Sequence, residues 1–144
     1  MTATITITNP ILSGMNPDPS WIWDDEFQRI VLVTSTFEIV PGLPIYVSED
    51  MTCWKHVSNV IDADLARRLL IPFVDDSGGV YAPTLRRIHG KYVIACTIAR
   101  LDDRRAMEGG CTESELMRFH AAEGNFILEA DSIEGPWRGP FWIE

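Results

Sequence analysis

The 144 residues, 46% apolar and 23% charged, suffice for one ordinary domain with a real core and exclude a mostly disordered chain. A net charge of −9 argues against nucleic acid as a partner, because phosphate-backbone binding relies on a surplus of Lys and Arg; it suits a neutral or cationic partner instead. Cys53, Cys96 and Cys111 form no C-x-x-C pair and no zinc-like spacing with His56, His89 or His120, and no segment has the carboxylate spacing of a Ca²⁺ loop, so neither a metal nor a cofactor is expected.

In chain order, the opening "MTATITITNPILSG" alternates Thr with Ile, which predicts a strand. It lacks the basic n-region and continuous apolar h-region of a signal peptide. No apolar run is long enough to cross a bilayer. A cytoplasmic, membrane-free protein is the default expectation, with secretion left open. Asn16 to Ser20 then reads "NPDPS", an acid between two prolines. Each proline fixes its own φ, and Pro19 pushes Asp18 toward extended geometry. Two readings stand here: a turn leading into a strand, or a carboxylate aimed at a site.

The rest is mainly β. "RIVLVTSTF" (Arg29 to Phe37) and "KYVIACTIA" (Lys91 to Ala99) are apolar, β-branched runs of strand length, and Leu43 to Ser48 and Gly124 to Ala130 are shorter ones. Turn signals separate them: "DDEFQ", "VPGLP", "DSGG", "IHGK" and "EGP". Cys53 and Cys96 lie in apolar runs and are expected as buried free thiols. Arg100 to Gly124 form a polar insertion, of which Glu113 to Ala122 is either a short helix or a loop. Its acids, Asp102, Asp103, Glu113 and Glu115, are expected on a solvated face.

Two halves of this pattern match. "DPSWIWDDEFQRIVLVTS" with "PIYVSEDMTCWKHVSNVI" parallels "APTLRRIHGKYVIACT" with "FILEADSIEGPWRGPFWI", so that Pro19 aligns with Pro83 and Trp54 with Trp137. Each half is one four-stranded unit, the signature of a β-propeller blade, with a small sandwich as the alternative. Trp54 and Trp137 are expected to cover the blade cores. Asp18 aligns with Ala82. A carboxylate needed only to build the blade would recur, and this one does not.

"NPILSGMNPDPS", "STFEIVPGLPIYVSEDMTCW", "DSGGVYAPTL" and "HGKYVIACT", in that order, resemble the N-terminal part of glycoside hydrolase family 43, nearest to its β-xylosidases and α-L-arabinofuranosidases. The resemblance implies an all-β fold of the five-bladed β-propeller family. Residues 1–144 would supply about its first two blades, the first over about 9–62 and the second over about 76–144. It implies an inverting hydrolase of xylo- or arabino-oligosaccharides with three carboxylates: an Asp on the first blade as general base, a later Asp that tunes pKa and orientation, and a still later Glu as general acid. Asp18 matches the base. Phe37 and Tyr81 match positions lining the innermost sugar subsite, where core packing is the competing reading for Phe37. The pair Gly78-Gly79 is expected to leave backbone space around the Tyr81 ring, and Asp76 and Ser77 are expected to shape the turn before the second inner strand.

The chain departs from the family pattern at several positions. Tyr81 and Thr84 stand where Trp and Asp are usual, and Ile39 and Val40 where two aromatics are. Neither downstream carboxylate lies within these residues, so residues 1–144 alone are expected to be inactive, with self-association through uncovered blade edges and a monomer both left open. A degenerate sugar-binding module, or a truncated relic, is the alternative.

Overall fold

The apolar runs pair into two four-stranded antiparallel sheets, in a computed structural model that describes residues 4–143. Strands β1 (Ser20–Asp24), β2 (Arg29–Val33), β3 (Gly42–Ser48) and β4 (Lys55–Ile61) form the first as a simple meander. Strands β5 (Val74–Ile88), β6 (Lys91–Leu101), β7 (Asn125–Ala130) and β8 (Arg138–Trp142) repeat that order in the second. The β5–β6 hairpin closes at Ile88 opposite Lys91, around His89 at φ 48° and Gly90 at φ 80°. Two left-handed residues in succession match the twist of the flanking strands, which is why His-Gly serves there.

The sheets sit side by side in radial order. Edge strand β1 lies against edge strand β5. At the far edge, Ser58 Oγ on β4 donates to the Ile133 carbonyl at 2.6 Å. Inner edge thus meets inner edge, and outer strand β4 meets the β7–β8 connection, as in neighbouring blades. Between the sheets lies one continuous core that includes Val31, Val33, Leu43 and Ile45 from the first and Leu85, Tyr92, Ile94, Phe126 and Leu128 from the second. Burying each such aliphatic side chain is worth roughly 1.5–3 kcal/mol, so the two blades stabilise each other.

Three short helices join the strands. In α1 (Ala63–Arg68) Asp62 caps the N-terminus, accepting from Leu65 N–H at 2.8 Å, while Leu65 and Ala66 are buried. The polar insertion folds as α2 (Asp103–Glu108) and α3 (Glu113–Ala121), and α3 resolves the helix-or-loop alternative. Two of its acids serve as caps. Asp102 caps α2, and Thr112 with Glu115 forms a reciprocal capping box on α3. Asp103 pairs with His120 at 3.0 Å across the two helices.

Four expectations change. Residues 4–19 form no strand, and Ile5 and Ile7 are exposed: Thr/Ile alternation supplies β propensity, but no neighbouring strand offers a ladder. Both tryptophans are half-buried, but Trp137 packs against the core, whereas Trp54 lies outside it, its indole N–H donating to the Met51 carbonyl at 3.1 Å. Asp76 and Ser77 fall inside β5, in an irregular stretch with Ser77 at φ 60°, because β5 runs unbroken from Val74.

The fourth is Cys53, which is exposed, because it lies on a polar corner organised by Asp50 and not in a strand. Cys96 and Cys111 are buried free thiols. Burial raises both thiol pKa values, that of Cys96 to about 12 from its ordinary 9.0. A neutral-pH thiol reagent should therefore modify Cys53 at once and the other two only on unfolding. Fast modification of two thiols in the folded chain would contradict this. Because burial disfavours the Cys96 thiolate, this group leaves stability unchanged below pH 9 and lowers it by about 1.4 kcal/mol per unit as pH rises toward 12.

Candidate active site

The stretch "NPDPS" departs from an extended strand in a specific way. Ser35 N–H donates to the Pro17 carbonyl at 2.9 Å, and regular pairing begins with Ser20 opposite Val33. Asp18 and Pro19 therefore stand together opposite Thr34, a β-bulge, and Asp18 sits at φ 48°. This replaces the extended geometry expected for Asp18. The same device recurs in the second blade. Tyr81 pairs with Thr97 and Thr84 with Ala95, leaving Ala82 and Pro83 opposite Cys96, with Ala82 at φ 46°. Proline has no N–H to give a ladder, so a bulge on an edge strand accommodates it.

The two bulges separate backbone from chemistry. Ala82 adopts the same left-handed φ as Asp18 with only a methyl group, so the Asp18 carboxylate is not needed to make the bend. That carboxylate is exposed, and its Oδ2 accepts from Ser35 Oγ at 2.8 Å. Ser35 Oγ in turn accepts from Ala82 N–H at 2.9 Å. One hydroxyl thus joins the bulges of both blades. Ser20 Oγ makes a second link, accepting from Leu85 N–H at 3.0 Å.

Phe37 and Tyr81 meet beside this junction. Their ring centroids are 4.7 Å apart with planes tilted by 44°. Phe37, at φ 53°, exchanges backbone hydrogen bonds with Val80 at 3.1 and 3.0 Å, which ties the segment after β2 to β5. Both rings are half-buried, so neither is consumed by the core. Gly79 serves close backbone approach at this point. A Cβ on Gly79 would lie 2.3 Å from the Phe37 carbonyl oxygen, so the space holds backbone. The Tyr81 hydroxyl donates to the Ser77 carbonyl, which fixes the ring.

The structure therefore gathers Asp18, Phe37 and Tyr81 around one inter-blade junction, with Ser35 at its centre. Thr84, Cys96 and Ala82 line an adjoining depression of about 330 Å³. The Cys96 thiol donates to the Tyr81 carbonyl at 2.9 Å and, with its raised pKa, is not a nucleophile at neutral pH. Ile39 is 53% exposed and Val40 is exposed with it, so these two present aliphatic surface. Among the described residues no group of three or more His, Cys, Asp or Glu side chains could hold a metal ion.

Sequence reasoning missed Ser35. Its signal was a polar Thr34-Ser35 pair closing the apolar run "RIVLV", both residues almost wholly buried. A polar group so placed needs a partner, and only tertiary structure shows that the partners are Asp18 and Ala82.

Comparison with known proteins adds a second line. The family model of the glycosyl hydrolases family 43 matches residues 7–144. The chain is 36% identical to the "Non-reducing end alpha-L-arabinofuranosidase BoGH43B" of Bacteroides ovatus over 140 residues, covering 96% of this chain and 22% of that protein. It is 34% identical to the "Xylan 1,3-beta-xylosidase" of a Vibrio species over 139 residues, covering 95% and 22%. Among solved structures, the B. ovatus "Xyloglucan PUL GH43B" superposes with a TM-score of 0.72 at 34% identity, over 94% of this chain and 23% of that one. The xylan beta-1,4-xylosidase of Bacillus halodurans superposes with a TM-score of 0.71 at 28% identity, over 96% and 23%. The chain thus spans about a fifth of the length of the curated relatives it matches.

Proposed function

The chain belongs to glycosyl hydrolases family 43, and from that premise we propose that it supplies the general-base side of an inverting pentoside hydrolase, acting on xylosides or arabinosides. Its two sheets are blades of the family's five-bladed propeller. The observation that carries the reading is the Asp18 carboxylate: exposed, held by one oxygen, absent from the matching bulge of the second blade, and set where two blades meet.

Inversion requires a carboxylate that takes a proton from water on the face opposite the leaving group. A second carboxyl group, roughly 6.5–9.5 Å away, donates a proton to the departing oxygen. Asp18 would take the first role. The Phe37 and Tyr81 rings would form the apolar wall for the C–H face of the sugar. The proton donor and the residue that tunes it would come from sequence outside these 144 residues.

Two proteins test the reading. Residues 1–144 by themselves are expected to leave aryl β-xylosides and aryl α-L-arabinofuranosides intact. The same residues, replacing the matching segment of the B. ovatus relative, are expected to give an active enzyme. The exposed Ile39 and Val40 favour a second reading, a sugar-binding module that has lost stacking surface and turnover. A folded graft that binds xylose or arabinose without cleaving the glycosides would establish that second reading in place of the first.

A further inference from the structure

Ser35 combines features that packing alone does not explain. It is 0% exposed, yet its hydroxyl joins two segments at one point, the bulges of the first and second blades. Its backbone N–H holds Pro17, its Oγ donates to Asp18 Oδ2, and the same oxygen accepts from Ala82 N–H. Thr34, its neighbour, is almost as buried, and its Oγ1 has no partner among the described residues. Burial in this part of β2 therefore does not pair a hydroxyl automatically.

A hydroxyl has one hydrogen. With the Ala82 N–H pointing at the oxygen, that hydrogen is directed to Asp18 Oδ2. The Ala82 N–H is available because the second bulge turns it out of the β5–β6 ladder. Among the described residues no other donor reaches Asp18. One carboxylate oxygen is thus anchored, the other has no hydrogen-bond partner among the described residues, and Asp18 as a residue is exposed; an attacking water would need to lie within roughly 2.6–3.2 Å of the free oxygen.

We propose that Ser35 is a positioning residue: it holds the Asp18 carboxylate by Oδ2 so that Oδ1 faces the water to be activated, with the second blade setting the hydroxyl through Ala82 N–H. The catalytic significance rests on Asp18 being the base, while the positioning itself is read independently of turnover. It also gives the bulge of the second blade a purpose in the chemistry of the first.

The 144-residue chain, with aspartate carbon labels, permits the test by NMR in its native form, in Ser35→Ala and in Ser35→Thr. In the native chain the Asp18 Hα–Hβ couplings should report a single χ1 rotamer and the Ala82 amide proton should be hydrogen-bonded. In Ser35→Ala the couplings should become averaged, the Asp18 Cγ resonance should shift, and the Ala82 amide should lose its downfield shift. Ser35→Thr should restore all three. Averaged Asp18 couplings in the native chain would overturn the proposal without any variant. So would a Ser35→Ala chain in which the Ala82 amide moves and the Asp18 couplings do not, since Ser35 would then be an inter-blade link only. Loss of Asp18 function is read separately, by turnover of the graft with Asp18 replaced.

Discussion

Asp18→Ala, made in the active graft, is expected to lower kcat by about 10²–10⁴-fold, the usual contribution of a positioned general base. The fold should survive the change. Ala82 already occupies the equivalent bulge at φ 46°, against 48° for Asp18, so alanine is compatible with that backbone. The loss is confined to the Ser35 hydrogen bond, worth about 1 kcal/mol, and solvent reaches the vacated position. Asp18→Asn sharpens the comparison. Its amide oxygen still accepts from Ser35, so geometry is kept while basicity is removed, and its kcat should fall as far as that of the alanine variant. Steady-state kinetics with both glycosides, alongside melting curves, separate chemistry from stability. Retention of more than a tenth of the activity by either variant would remove Asp18 from the base role.

Much of the fold was legible because strand periodicity and turn residues are local signals. β6 and β7 follow the apolar runs to within two residues, and His89-Gly90 announces its own hairpin. The repeat was legible too, and the paired bulges at Asp18 and Ala82 are its most specific structural counterpart. What the sequence hid has non-local causes. The six-residue α1 and α2 are too short to display a periodic stripe, and α1 draws stability from burying Leu65 and Ala66. An x-Pro pair at the start of an edge strand permits either extended or bulged backbone, and only the offset between Ser35–Pro17 and Val33–Ser20 decides. The opening Thr/Ile alternation misled because propensity without a partner strand does not make a sheet. At the site, motif likeness singled out Asp18, Phe37 and Tyr81 but not Ser35, whose role arises from a contact 47 residues away in sequence.

The other large effect is expected at the opposite end of the same strand. Asp24 closes β1 and is 0% exposed, an ionisable group that would be costly to bury alone. It is not alone. Arg87 on β5 and the Tyr92 hydroxyl on β6 both donate to its carboxylate, and Arg29 on β2 lies 3.9 Å away. Arg87 also reaches Glu26, and Phe27 lies 4.7 Å beneath the Arg29 guanidinium. The cluster pins the β1–β2 hairpin to the β5–β6 hairpin, so one carboxylate holds two blades together. Asp24→Ala would leave two partly buried guanidinium groups and a buried phenol without their acceptor. A destabilisation of about 3–5 kcal/mol is expected from uncompensated charge, a large share of the roughly 5–15 kcal/mol that a domain possesses. Tyr92→Phe removes one hydrogen bond and leaves the ion pairs, so about 1 kcal/mol is expected. Burial first, and then the hydrogen bond to Asp24, raise the Tyr92 pKa above its ordinary 10.0. Its contribution is therefore complete below pH 10 and is lost as pH rises through the higher folded-state value. Urea unfolding at pH 7 and again above pH 10 reads all of this. A loss of less than 1 kcal/mol in Asp24→Ala would mean that apolar packing across the sheets, and not this ionic cluster, holds the blades in register.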